Sequence, residues 1–242
     1  MPTLADQIAV VTGASSGIGK AIAVALAEQR ATLCLVGRRV EILATIAEQA
    51  RVTTARALYH RTDLTVDQDI KALAALLQRD FGHVDVLVHG AGLCARGTMD
   101  SACVDDLDWQ YRTNVRAPYL LTQAVLPLLR VRQGQVVFLN SSAGLTAKAE
   151  VGQYAATKHA LKAFADSFRD EVNADGIRVL SVFLGRTATP MQAAVHKMEQ
   201  RAYHAELLIQ PEDVAAMVLS AVRLPRTAEV TEIHIRPLIK SY

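Results

Sequence analysis

Cysteine is scarce: three residues, Cys34, Cys94 and Cys103, in a chain of 242. An odd number with no CxxC or metal spacing excludes both a disulfide framework and a zinc site, and no metal is expected. Cys34 falls inside an apolar run and reads as a small core residue. An excess of one charge is missing as well. The net charge is +2 and no basic block stands out, so neither nucleic acid nor an anionic membrane is expected as a partner. No apolar window approaches ~18 residues without a charge, which excludes a membrane-spanning helix. The opening Met1-Pro2-Thr3-Leu4-Ala5-Asp6 has no charged region followed by an apolar stretch. No signal peptide is expected, and a reducing, cytoplasmic setting follows. Aromatics at 5% leave any core mostly aliphatic.

What the chain does have is aliphatic residues in a regular order. Hydrophobic residues make up 51%, enough for the core of one large α/β domain or two small ones. Strand-like runs are expected at 8–12, 32–36, 57–61, 84–89, 135–140, 177–183 and 229–235. Helix-like stretches are expected at 18–29, 41–50, 66–80, 102–130, 151–173 and 211–222. This alternation argues βαβ units and a parallel sheet with helices on both faces. The runs are continuously apolar, as strands buried on both faces require. No Pro/Ser/Gly-rich linker, internal repeat or low-complexity segment divides residues 1–242, which read as a single domain.

The first strand runs into Thr12-Gly13-Ala14-Ser15-Ser16-Gly17-Ile18-Gly19, and an alanine-rich helix follows. Glycines there let backbone approach a pyrophosphate at the helix N-terminus, where N–H groups and the dipole favour anions. The second strand ends at Val36-Gly37-Arg38-Arg39. An NAD site would place an acid here for the ribose hydroxyls; a guanidinium instead pairs with a 2′-phosphate, so NADP(H) is expected over NAD(H). At least one of Arg38 and Arg39 is expected to point into solvent. Ser15 and Ser16 stand where a second basic residue in the loop would have strengthened the reading.

Tyr154-Ala155-Ala156-Thr157-Lys158 sets a phenol and an ammonium at i and i+4, on one helix face. A nearby cation favours the phenolate and lowers a pKa that starts near ~10. A phenol so tuned can pass a proton to or from a substrate oxygen. On its own the spacing is common; a dinucleotide site in the same chain gives it meaning.

Together these residues resemble the short-chain dehydrogenase/reductase family in its single-domain form. The resemblance runs over nearly the whole chain: TGASSGIG at 12–19, DLT at 63–65, HGAG at 89–92, Asn114, SSAG at 141–144, YAATK at 154–158 and LGRTATPM at 184–191. It implies a doubly wound Rossmann α/β fold with a seven-stranded, mostly parallel sheet. It further implies that Gly13, Ser15, Ser16, Gly17, Ile18 and Gly19 cradle the phosphates and adenosine ribose, with Arg38 and Arg39 at the 2′ position. Asp63 and Leu64 would meet the adenine, and Ala91 and Gly92 the wall beside the ribose. Gly185, Thr187 and Thr189 would close the nicotinamide end, Thr189 on the carboxamide. Tyr154 and Lys158 would be the acid/base pair, Lys158 also bonding the nicotinamide ribose. Asn114 would hold a water in a proton relay. The family's oxygen-orienting serine lies thirteen residues before the tyrosine and three before a glycine; Ser141 meets both counts, with Ser142 second. Two departures stand out: His89-Gly90 replaces a paired asparagine, and Leu184 replaces a proline before Gly185. His89 reads better as a packed strand-end residue than as a site residue.

The reaction implied is hydride transfer between nicotinamide and a carbonyl or secondary alcohol, as in a ketone or aldehyde reductase. Specificity is expected in the segment 190–210, with Met191, Val195, Met198 and Tyr203 as apolar lining, although an ordinary amphipathic helix reads equally well. Leu93, Cys94, Thr146, Glu150 and Gln153 are further candidates. With no dense arginine cluster in that segment, a modest, largely apolar ketone or alcohol suits it. The helices at 102–130 and 151–173 have more apolar surface than one packing face needs; the resemblance implies a homodimer or homotetramer built on them. Two alternatives stand beside this reading. One is an NADP-binding redox sensor without turnover. The other is an extended relative acting on sugar nucleotides, which would need a longer C-terminal substrate domain than a chain ending at Tyr242 holds.

Overall fold

In the computed structural model, which describes residues 3–239, seven strands form one sheet. Met1 and Pro2 of the opening segment, and Tyr242, on which the chain-length reading rests, lie outside the described residues. The strands are β1 Ile8–Thr12, β2 Thr32–Gly37, β3 Ala57–Arg61, β4 Val86–His89, β5 Gln135–Ser141, β6 Arg178–Leu184 and β7 Glu232–Ile235. Their order is β3-β2-β1-β4-β5-β6-β7, and every neighbouring pair is parallel. The sheet expected to be mostly parallel is wholly so.

Parallel strands need crossovers, and the helices supply them. These are α1 Gly17–Glu28, α2 Val40–Ala50, α3 Asp67–Asp80, α4 Val104–Tyr111, α5 Ala117–Val131, α6 Gly152–Val172, α7 Pro190–Met198 and α8 Pro211–Val222. Successive side chains of a strand point to opposite faces, so β1 feeds two cores. Ala9 and Val11 pack with Ile22 and Leu26 of α1, Leu43 of α2 and Val218 of α8. Val10 packs with Leu73 of α3, Leu121 of α5 and Leu161 of α6. This is the doubly wound arrangement read from the alternation.

Three local differences have physical causes. The helix expected over 102–130 is broken by a π-helical turn, Arg112–Arg116, between α4 and α5. Such a turn carries one extra residue and marks functional sites often; here it turns Asn114 inward, 1% exposed. The seventh strand starts at Glu232 instead of 229, because the Glu229 carboxylate accepts from Val179 N at 2.7 Å in place of backbone pairing. In the edge strand β3 only Ala57 is buried, and from Leu58 to Arg61 half-buried and exposed residues alternate, the strand having a neighbour on one side only.

Candidate active site

Strand order reverses between β1 and β4, so their connections leave in opposite directions and a crevice opens at the carboxyl ends. The cleft there has a volume of about 510 Å³. Gly13, Ser15, Ser16, Gly17, Ile18 and Gly19 line one end. Two of these glycines are obligatory. A Cβ on Gly13 would stand 2.6 Å from the Gly90 carbonyl, and its φ is +66°; a Cβ on Gly19 would stand 2.5 Å from the Gly13 carbonyl oxygen. Neither the Ser16 side chain nor any acid in the first turn satisfies the N-terminus of α1. Backbone N–H groups and a positive helix end therefore face the cleft, a seat for a pyrophosphate. The residues present fit a dinucleotide.

The two arginines part ways. Arg39 turns back on the glycine loop, its Nη2 donating to Ser15 Oγ at 3.0 Å and to the Ser15 carbonyl at 3.2 Å. Arg38 stays exposed at the cleft wall. Beyond it, Asp63 Oδ1 accepts from Thr65 N at 2.9 Å and from Thr65 Oγ1 at 2.7 Å. Those bonds, and after them the charges of Arg38 and Arg61, hold Asp63 below the ordinary carboxylate range.

At the other end of the cleft β5 delivers Ser141, and α6 delivers Tyr154 and Lys158. Ser141 Oγ accepts from Ala143 N at 3.1 Å, which leaves its hydrogen free to donate. Burial pushes the Tyr154 phenol up, and a hydrogen bond with Ser141 pulls the other way. Burial pushes the Lys158 ammonium down to about 8. The expectation that the cation simply drags the phenol toward neutrality is corrected here. Lys158 is buried and Tyr154 half-buried in the floor of the cleft, where loss of water favours their neutral forms.

Asn114 is not on the cleft wall. Its Nδ2 donates to the Leu93 carbonyl at 2.9 Å and to Thr157 Oγ1 at 3.1 Å, and its Oδ1 accepts from Leu93 N at 3.0 Å. Both amide hydrogens and one acceptor position of the oxygen are engaged, two of the three bonds holding the Leu93 backbone beside the cleft and the third reaching α6 at Thr157. Leu64, Ala91, Gly92, Gly185, Thr187 and Thr189 all line the cleft, as do Leu93, Cys94, Met191 and Val195. Thr146, Glu150, Gln153, Met198 and Tyr203 do not. His89 is a packed residue, stacked on Phe138 at 4.8 Å with Nε2 2.9 Å from Thr122 Oγ1.

Sequence reasoning missed three charged residues. Arg96 and Arg186 line the cleft with Cys94 and Met191 and converge on Glu199, just past α7. They are scattered over the chain, and nothing in their local sequence pairs them.

Known proteins share this architecture. The alcohol dehydrogenase from the archaeon Thermococcus sibiricus, solved with 5-hydroxy-NADP, superposes with a TM-score of 0.89 at 26% identity, covering 98% of each chain. An actinorhodin polyketide ketoreductase solved with NADPH gives 0.88 at 27% identity, covering 97% of each chain. An uncharacterized oxidoreductase of Staphylococcus epidermidis (strain ATCC 35984) is 33% identical over 98% of this chain and 100% of its own. The short chain dehydrogenase family model matches residues 7–200. With that match and a relative of this identity along its full length, the chain belongs to the short-chain dehydrogenase/reductase family of oxidoreductases.

Proposed function

We propose that the protein is an NADP(H)-dependent reductase of ketones or aldehydes, or the reverse alcohol dehydrogenase. The observation that carries this is the sharing of one cleft by the backbone-lined anion seat, Arg38, and the Ser141–Tyr154–Lys158 group. A nicotinamide nucleotide bound there supplies or accepts the hydride. The protein does the rest. Tyr154 donates its phenolic proton to the oxygen of the carbonyl being reduced. Ser141 donates a hydrogen bond to that same oxygen, a contact that strengthens as negative charge develops. Burial keeps the phenol protonated and ready to donate. Asn114 positions Leu93 against the reacting carbon.

Arg38 is the residue proposed to take the 2′-phosphate, since Arg39 is already engaged with Ser15. That several proteins of the same fold were solved with NADP or NADPH supports the choice. Exposed Tyr111, Tyr119 and Val131 on α4 and α5 suit a second copy of the chain, so a homodimer or homotetramer is proposed.

Loss of NADPH absorbance with a panel of ketones and aldehydes, run in parallel with NADH, tests the reading. Saturable NADPH binding with no turnover on any carbonyl or alcohol would favour a sensor instead.

A further inference from the structure

We propose that Glu199 is a specificity-determining residue: by pairing with Arg96 and Arg186 it neutralises the substrate end of the cleft, which then admits an uncharged carbonyl and turns away a carboxylate. The inference rests on the oxidoreductase reading above. Arg96 follows β4 and Arg186 follows β6, and both line the cleft beside Cys94 and Met191. Glu199 sits at the C-terminal end of α7 with only 9% of its side chain exposed. Arg186 grips it with both terminal nitrogens, Nη1 to Oε2 at 2.7 Å and Nη2 to Oε1 at 2.8 Å. Arg96 Nη1 bonds the same Oε1, while its Nη2 reaches Glu150 Oε2 at 3.1 Å.

Two guanidiniums converging on one point form a carboxylate seat, and the fork-to-fork bond to Arg186 is the geometry such seats use. Here the chain's own carboxylate fills it. Glu150 is 56% exposed and screened by water, so Glu199 is the counter-charge that matters. Against the burial that would raise it, Arg186 and then Arg96 hold the Glu199 carboxyl below its ordinary range, so it is charged at working pH. Its charge also reaches the reacting end. The Cys94 thiol, raised mainly by burial, feels Arg96, Lys158 and Glu199 together. An incoming carboxylate therefore meets satisfied arginines and a like charge, a repulsive element against one substrate class. A neutral carbonyl meets neither.

The test uses two probes of one skeleton, acetoacetate and its methyl ester, with wild type, Glu199→Gln, Glu199→Ala and the double variant Arg186→Gln/Glu199→Gln. Folding is checked by circular dichroism and NADP binding. In wild type, kcat/KM favours the ester. Both single variants shift the acid-to-ester ratio toward the acid at least ten-fold, Glu199→Ala more because it also vacates the seat. The double variant returns the ratio toward wild type. A binding arm reads quenching of Trp109, the chain's one tryptophan, which lines the cleft, with NADP present. An unchanged ratio in both single variants, or no saturable binding of acetoacetate to either, overturns the proposal. Should no carbonyl be turned over by wild type, the proposed carbonyl-reductase function fails, and the binding arm still decides whether Glu199 excludes anions.

Discussion

Lys158 Nζ lies 5.9 Å from the centroid of the Tyr154 ring and donates to the Leu139 carbonyl oxygen at 2.9 Å. That second bond ties the Tyr154/Lys158 face of α6 to β5, the strand that carries Ser141 two residues on. Asn140 adds to the tie, its Nδ2 donating to the Lys158 carbonyl at 3.1 Å and its Oδ1 accepting from Ser141 N at 2.8 Å. The phenol, the amine and the hydroxyl are thus set by one strand–helix contact and not by three separate loops.

Removing the phenolic oxygen takes away the proton donor and leaves the anion seat untouched. Tyr154→Phe is expected to lower kcat/KM by roughly 10²–10⁴-fold, with the NADPH dissociation constant changed by less than about three-fold. Turnover on a good substrate at near the wild-type rate would refute the mechanism.

The two serines separate cleanly. Ser141→Ala is expected to cost ~10²–10³ in kcat, the range for one oxyanion donor. Ser142 is exposed on the next turn, and Ser142→Ala is expected to stay within about three-fold of wild type. Steady-state kinetics on the two variants checks both, and equal losses would mean the wrong serine has been chosen.

Lys158 carries a pH signature in stability. Its pKa falls from 10.5 to about 8 on folding, because burial disfavours the charged form. Between those values the unfolded chain binds more protons, so stability rises with pH through that window. Below pH 8 the full penalty applies, roughly 3 kcal/mol at most from a shift of this size. Lys158→Met is expected to melt above wild type at pH 7, with the difference shrinking toward pH 10.5. Melting curves across that range read the effect.

Arg38 and Arg39 are expected to fail differently. Arg38→Leu should weaken NADPH about ten- to a hundred-fold, the loss of one charge-assisted hydrogen bond at roughly 1.5–3 kcal/mol, while NADH is unchanged. Arg39→Leu releases Ser15 in the glycine loop and should weaken both cofactors. Fluorescence titration with each nucleotide tells them apart; if Arg38→Leu weakened the two cofactors equally, the phosphate assignment would fall.

Gly144 explains a spacing. A Cβ there would stand 2.7 Å from Asn140 Oδ1 and 2.9 Å from the Lys158 carbonyl oxygen. Gly144→Ala must push α6 away from β5, at about 1–3 kcal/mol for overpacking, or roughly 2–4 °C in Tm per kcal/mol at this chain length. It should also lower kcat more than it raises KM, since Tyr154 and Ser141 are drawn apart.

The chain's own order of residues determined the alternation of strands and helices, the glycine loop and the Tyr154/Lys158 face. Those signals are local: side-chain period, backbone freedom at glycine and i, i+4 spacing are all legible within a few residues. Tertiary structure alone decided the rest. The π turn that buries Asn114 depends on what packs around it. Which arginine turns back on the glycine loop depends on where Ser15 lies after folding. Burial pushes the Tyr154 phenol up and the Lys158 ammonium down, and burial belongs to the assembled floor of the cleft. Arg96, Arg186 and Glu199 meet only because parallel strands put the loops after β4 and β6 on one edge, with α7 close above them. Nothing within reach of any one of the three along the chain announces the other two.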